Sequence, residues 1–246
     1  MTLLSRTRLI ALAATALMAA ASASAHQLWL EQDDGGARLF FGEFGENLRE
    51  VSPGLLDKFG KPQVRKVSAQ GSVQAGDVTR TATAFTTPLR AGRGESLVAE
   101  DATYPMWALG AGQPGRGMYL PAARLVTDLA AQSPQLTLDL VPTGSETAES
   151  TVLQAYFSGK PLAGAKVKLV TASGWEKELR TDADGKVTAP LPWNGTYVLE
   201  LEHTGPAGVR ADGASFERGS YVTSLTLLRA TGLAALPAPP AAKPGK

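Results

Sequence analysis

His26 is the residue of this chain whose position gives it the clearest metal-binding chemistry. It follows Ala23-Ser24-Ala25, which carries small residues three and one positions before His26, the pattern at which a signal peptidase cuts. A cut there would make His26 the first residue of the mature protein. Its free α-amine and its imidazole would then chelate one metal ion together. An α-amine has a pKa of about 8 and loses its proton readily at a metal.

A second histidine, His203, is the other nitrogen donor that the sequence offers. Imidazole and amine nitrogens are borderline donors that suit Cu(II), Ni(II) or Zn(II), so a divalent transition metal is the expected cofactor. His203 has the same parity as Leu199 and Leu201 and ends its predicted strand. Two interpretations stay open. His203 either completes a three-nitrogen site with His26, or it is an ordinary half-buried histidine.

Carboxylates in the stretch 42–50 could complete such a site. This stretch is acidic and punctuated by glycine, which predicts a loop, and it carries Glu43, Glu46 and Glu50. The alternative is that these side chains simply face water. The predicted metal ligands are His26, His203, Glu43 and Glu46.

Composition excludes several other functions. The 246 residues contain 24 basic and 23 acidic side chains and no cysteine. A balanced charge without a basic stripe argues against a nucleic-acid partner. The absence of cysteine excludes thiolate zinc sites and cysteine catalysis. The sequence also lacks a Gly-x-Ser-x-Gly motif and a phosphate-binding glycine loop, so we expect that the protein is not an enzyme.

Residues 1–25 have the composition of a cleaved signal peptide. Arg6 and Arg8 precede an apolar run from Leu9 to Ala20, which is shorter than the about 20 residues that cross a bilayer. No later stretch is apolar enough to span one. The sequence therefore predicts a periplasmic protein without a transmembrane segment after cleavage.

The remainder of the chain predicts an all-β fold with two β-sandwich-like domains, residues 26–133 and 134–230. In the first domain, short segments separated by glycine and proline predict strands over 64–67, 78–85 and 96–99. In the second, clean alternation over 165–170 and 197–201 indicates strands, and Asp184-Gly185 is a hairpin signal. Short strands at regular turn spacing are typical of a sandwich. The Pro/Ala-rich tail, 231–246, is predicted to be disordered.

Two resemblances extend this interpretation. Residues 151–203 resemble a carboxypeptidase-regulatory-like or transthyretin-like sandwich, through the turns at 159–165 and 181–186 and the segment Gly195-Thr-Tyr-Val-Leu-Glu-Leu. Most of the mature chain resembles a bacterial periplasmic family of unknown function whose members are often labelled NikM-like nickel or cobalt transport proteins. The segments that carry this second resemblance are Ala25 to Leu30, His203 and Tyr221-Val-Thr-Ser-Leu-Thr. It implies export, a two-part β architecture and metal handling.

The expected function is therefore that of a periplasmic metal-binding accessory protein in nickel, cobalt or copper uptake or homeostasis. Its expected partners are the metal ion and a metal transporter of the inner or outer membrane. Two alternatives stay open. One is a copper-dependent polysaccharide monooxygenase that uses the same terminal histidine, and the other is a metal-free envelope module that binds carbohydrate or protein.

Export of the full-length chain should yield a mature form that begins at His26. The small residues Ala23 and Ala25 generate this expectation. Intact-mass measurement and N-terminal sequencing of periplasmic material test it. A mature form that begins at any other residue would remove the α-amine from the site.

Overall fold

β-Strands make up most of the described chain in the computed structural model, which describes residues 26–110 and 112–245. The predicted signal peptide, 1–25, lies outside these residues. The two short helical segments are 3₁₀ turns, Phe44–Glu46 and Leu55–Lys58. The all-β, sandwich-like class predicted from the sequence is confirmed. No helix in the described part of the chain is both long and apolar enough to cross a membrane.

The strands are numbered along the described chain. The first ten are β1 (Gln27–Asp33), β2 (Gly36–Glu43), β3 (Leu48–Arg49), β4 (Gln63–Val67), β5 (Val73–Gly76), β6 (Thr79–Arg80), β7 (Phe85–Thr87), β8 (Ser96–Glu100), β9 (Trp107–Ala108) and β10 (Arg116–Val126). The others are β11 (Leu138–Glu146), β12 (Ser150–Phe157), β13 (Lys160–Pro161), β14 (Lys166–Thr171), β15 (Glu176–Arg180), β16 (Lys186–Pro190), β17 (Gly195–Gly205), β18 (Gly208–Val209), β19 (Ser215–Phe216) and β20 (Arg218–Arg229).

Three sheets carry the architecture. The N-terminal sheet has the order β1-β2-β7-β6, with β3 also on β2. The central sheet has the order β15-β14-β17-β20-β10-β8-β4-β5, with β9 on β10. The C-terminal sheet joins β11, β12 and β13, with β16 also on β12. The pair β10–β20 in the central sheet is parallel, and through it the central sheet combines strands from before and after residue 133.

The central sheet is covered on both faces. One large hydrophobic cluster joins the N-terminal sheet to β4, β8 and β10, and a second joins the C-terminal sheet to β14, β17 and β20. Strand β17 shows the alternation that makes this possible: Leu199 and Leu201 lie in the second cluster, while Val198 packs with Trp29 of β1. The molecule is thus layered as three sheets.

The predicted domain boundary near residue 133 stays a prediction. The two large clusters divide the chain near Leu125 and Val126, which belong to the first and second cluster respectively. The central sheet, however, continues across that boundary. Any fragment cut there would separate β20 from its neighbour β10.

Two local expectations need correction. The Asp184-Gly185 turn does not make a hairpin, because β15 before it pairs in the central sheet and β16 after it pairs in the C-terminal sheet. The turn instead carries the chain from the central sheet to the C-terminal sheet. Tertiary packing therefore determines the partners of the flanking strands. The predicted strand over 78–85 is divided, because a turn closed by the hydrogen bond from Thr81 N to Ala84 O separates β6 from β7.

A buried ion pair ties the central sheet to the C-terminal sheet. Arg124 on β10 donates from Nε to Asp139 Oδ1 at 2.9 Å and from Nη2 to Oδ2 at 2.6 Å, and both side chains are fully buried. Asp139 also accepts backbone N–H bonds from Gln135 and Leu136. Besides pairing two buried charges, Arg124 and Asp139 therefore fix the segment that connects β10 of the central sheet to β11 of the C-terminal sheet.

Arg124→Met should destabilise the protein by about 3–5 kcal/mol, because it leaves the carboxylate of Asp139 buried without its cation. Chemical denaturation of the processed protein measures the change. The matched control is Lys166→Met, which breaks the exposed pair Lys166–Glu178 and should cost below about 1 kcal/mol. Equal effects of the two substitutions would contradict the structural role of the buried pair.

Candidate functional site

His26 stands immediately before β1, at the rim of the first hydrophobic cluster. Its ring centroid lies 5.3 Å from that of Phe41. The hydroxyl of Tyr119, on β10, donates a hydrogen bond to the His26 carbonyl oxygen at 2.8 Å. These contacts fix His26 against the central sheet while leaving its side chain 27% exposed.

Two carboxylates hold the His26 imidazole from its two nitrogens. Nε2 lies 2.6 Å from Glu50 Oε1, and Nδ1 lies 3.3 Å from Glu43 Oε1. The register of β1 on β2 explains the second contact, because Gln27 pairs with Gly42 and the preceding residue then faces Glu43. The Glu50 side chain is 0% exposed, and its backbone N–H donates to Phe41 O at 2.8 Å, which fixes it beside the strand pair.

The two ring nitrogens are therefore suited to different roles. With a proton on Nε2 donated to Glu50, the lone pair of Nδ1 is left for another partner. Metal-bound histidines commonly donate their second ring N–H to a carboxylate, which fixes the tautomer and orients the ring. Among the described residues, side chains alone form no group of three or more His, Asp or Glu placed to hold a metal ion. A metal site at His26 would need a third donor from elsewhere, and the α-amine that cleavage before His26 would release is a candidate.

Glu46 does not contact the imidazole of His26. It lies at the end of the 3₁₀ turn Phe44–Glu46 and is exposed. Together with Glu43 it lines a cleft against β14 and β17, where Lys168 and Glu200 form the opposite wall. Of the predicted ligands, the structure thus brings His26 and Glu43 into contact. Glu46 lines the same cleft as Glu43 without contacting the imidazole.

His203 lies on the opposite face of the central sheet. Its neighbour Thr204 is level with Tyr119, since both pair with the same residue of β20. The Tyr119 side chain reaches His26, so His203 must face the other way. There its ring packs on Phe157 with a centroid distance of 4.3 Å, and burial lowers its pKa. The structure does not bring His203 to His26, and the predicted pair of histidines around one ion is not assembled.

Sequence reasoning missed Tyr119 as a partner of His26, and it named Glu50 as a candidate carboxylate without including it among the predicted ligands. Glu50 was visible as a member of the acidic stretch 42–50, but nothing in the sequence indicated that it alone is fully buried. Tyr119 is distant in sequence and reaches His26 through the packing of β1 across β10. Local pattern contains no signal for such a contact.

An unusual carboxyl group lies beside the site on β17. Burial raises the pKa of Glu200 to about 7, although the hydrogen bond from Gln27 Nε2 and the charge of Lys168 act in the opposite direction. Gln27 follows His26 directly, so this carboxyl group contacts the same end of β1. Glu200 consequently changes charge near neutral pH next to the candidate site.

Comparison with known proteins gives one match. The profile of DUF4198, a domain of unknown function, matches residues 125–205. This span runs from the end of β10 to the end of β17 and covers less than half of the chain. It contains His203 but neither His26 nor Glu43. No curated protein and no solved structure matches the chain.

Glu200→Gln should flatten the dependence of stability on pH. The native carboxyl group titrates at about 7 and the unfolded one near 4.5, so the native state holds the extra proton between these values. The free energy of unfolding should therefore fall as pH rises from about 4.5 to about 7, by at most about 3–4 kcal/mol, and the substitution should remove this fall.

Denaturation at a series of pH values measures this slope. The matched control, Glu202→Gln, changes an exposed residue of the same strand and should retain most of it. An unchanged slope in Glu200→Gln would contradict the assignment.

Proposed function

We propose that the processed protein binds one divalent transition metal ion, nickel, cobalt or copper, through His26 at its N-terminus. In this role it serves as a periplasmic accessory protein in uptake or homeostasis of that metal. The observation that carries the proposal is the asymmetric environment of the imidazole. A fully buried carboxylate, Glu50, holds Nε2, while Nδ1 faces a second carboxylate, Glu43.

The donor spacing supports a single ion between Nδ1 and Glu43. Two donors bound to one ion at about 2.0–2.2 Å, at square or tetrahedral angles, lie about 3–3.5 Å apart. The distance from Nδ1 to Glu43 Oε1 is 3.3 Å. The α-amine of a processed His26 would add the third donor, in a chelate ring with Nδ1. Imidazole, amine and carboxylate together suit nickel, cobalt and copper.

The position of the site at the protein surface supports a role in transferring the ion to a partner. The His26 side chain is 27% exposed and the Glu43 side chain 13% exposed, so an ion there would lie at the surface rather than in a closed core. A site with one carboxylate, one imidazole and one amine also leaves coordination positions open. Such an ion is accessible to an incoming ligand from a transporter of the inner or outer membrane, the partner class that we propose.

Two resemblances belong to this proposal. The likeness of Ala25 to Leu30, His203 and Tyr221-Val-Thr-Ser-Leu-Thr to NikM-like nickel or cobalt transport proteins supports metal handling. The match over residues 125–205 is consistent with a family of unknown function and is silent on metal. The likeness of residues 151–203 to a carboxypeptidase-regulatory-like sandwich concerns the fold of the second half alone.

Metal titration of the processed protein tests the proposal. Competition with a chelator should give an affinity for Cu(II) or Ni(II) at least in the micromolar range. Retention of an extra Met before His26 should weaken binding most, because the amine becomes an amide. Glu43→Gln should also weaken binding, because it replaces a carboxylate ligand. Glu50→Gln should reduce the affinity by roughly 10- to 100-fold, the usual effect of losing a partner that orients a metal-bound histidine.

His203→Gln and Glu46→Gln are the matched controls, and both should retain the affinity. His203 lies across the sheet from the site, and Glu46 is exposed beside it. Equal affinity with and without the extra Met would contradict the role of the α-amine. A large loss of affinity in His203→Gln with an unchanged free energy of unfolding would restore His203 as a ligand.

A further inference from the structure

The segment 230–245, which follows β20, leads from the far end of the central sheet to the His26 site. It forms no strand and is mostly exposed. Its first attachment is a parallel bridge between Leu233 and Trp193. Leu233 N donates to Pro192 O at 2.9 Å, and Asn194 N donates to Leu233 O at 2.8 Å. This anchor fixes the position of Leu233, from which the segment runs toward the His26 site.

A second attachment lies on the connection between Glu43 and Glu50. Asn47 donates from Nδ2 to Pro239 O at 3.0 Å, and its carbonyl oxygen accepts from Ala242 N at 3.3 Å. Asn47 has a φ of 52°, in the left-handed region that asparagine tolerates better than most residues. The connection that carries both site carboxylates thus also receives the segment.

The third attachment is on the site itself. Gly245 N donates to Glu50 Oε2 at 3.0 Å and to Oε1 at 3.2 Å. Oε1 is also the atom 2.6 Å from His26 Nε2, so the segment and the imidazole share one carboxylate. A Cβ atom on residue 245 would lie 3.1 Å from that oxygen and 3.2 Å from Leu55 Cδ1. A larger residue at 245 would therefore require these neighbours to shift by a few tenths of an ångström.

We infer that residues 230–245 form a strap that closes over the His26–Glu50 edge and controls metal exchange there. This inference rests on the proposed metal site. The proline-rich part of the strap favours an extended, semi-rigid conformation, so it loses little conformational entropy when it docks. Between Leu233 and Gly245, the strap is held by a few hydrogen bonds, and none of its residues is buried. A segment held this way opens at low free energy.

The shared carboxylate couples the strap to the ion. When the strap is closed, the two hydrogen bonds from Gly245 N hold the Glu50 carboxylate in place, and Glu50 in turn holds Nε2 of His26. When the strap opens, Glu50 loses this support, and the imidazole is oriented less firmly toward the ion. Release of the ion to a partner is therefore faster from the open strap.

The state of the strap can be measured without any metal. The chain has no cysteine, so cysteines introduced at Lys58 and Ala241, both exposed, carry the only two spin labels. A pulsed electron spin resonance measurement should give a narrow distance distribution in the processed protein. Gly245→Val and Asn47→Gly should broaden it. Lys243→Ala, at an exposed strap position that makes none of these contacts, should leave it narrow.

Removal of the Cu(II) ion by an excess of chelator then tests control of the site. Removal should be several-fold faster from a variant that ends after Leu236, and from Gly245→Val, than from the full chain or from Lys243→Ala. A broad distribution in the full chain overturns the strap whatever the metal result. A narrow distribution with equal removal rates overturns its control of exchange. If no form binds metal, the proposed function fails, and with it a role for the strap at an ion.

Discussion

The parallel pairing of β10 with β20 is the constraint on which the rest of the structure depends. It joins Gly117 through Val126 to Arg218 through Leu227 in continuous register, and it makes one sheet from strands far apart in sequence. Both of its faces must then be covered, because both strands carry apolar side chains alternately on each side. The N-terminal sheet covers one face and the C-terminal sheet the other. This packing of the N-terminal sheet on the central sheet positions the beginning of β1, and with it His26.

Because the central sheet lies between two others, each of its two faces packs against a hydrophobic cluster. His203 shares its face with Leu199 and Leu201, as its parity predicted, and that face does point into a hydrophobic cluster. The cluster is the one against the C-terminal sheet, while His26 adjoins the other. Parity along a strand indicates which residues share a face, but it cannot indicate which layer covers that face. The expectation that the two histidines meet failed at this step.

The contact between Glu43 and His26 has a local cause. His26 and Glu43 are brought together by the antiparallel pair β1–β2, whose register follows from a short turn at Asp34 and Gly35, and such contacts are recoverable from a sequence. Glu50 is different. Its backbone N–H is bonded to Phe41 O, and its buried carboxylate contacts His26 and Gly245 of the strap. These are long-range contacts, and a pattern of acidic residues over 42–50 predicts nothing about which of them is buried. The same limit applies to the Asp184-Gly185 turn, where packing rather than turn chemistry decided the partners of the flanking strands.

Glu50 also explains why the imidazole of His26 can be held so firmly at a surface position. A buried carboxylate needs donors to offset its desolvation. Here the donors are one imidazole nitrogen and one backbone N–H, from opposite ends of the described chain. The buried charge thus orients the ring and leaves Nδ1 beside Glu43. The most direct test of this account is a crystal structure of the processed protein soaked with Ni(II) or Cu(II), with diffraction recorded at the absorption edge of the metal. The account predicts one anomalous peak within bonding distance of the α-nitrogen and Nδ1 of His26 and of a Glu43 oxygen. A peak at His203, or none at His26 under saturating metal, would contradict it.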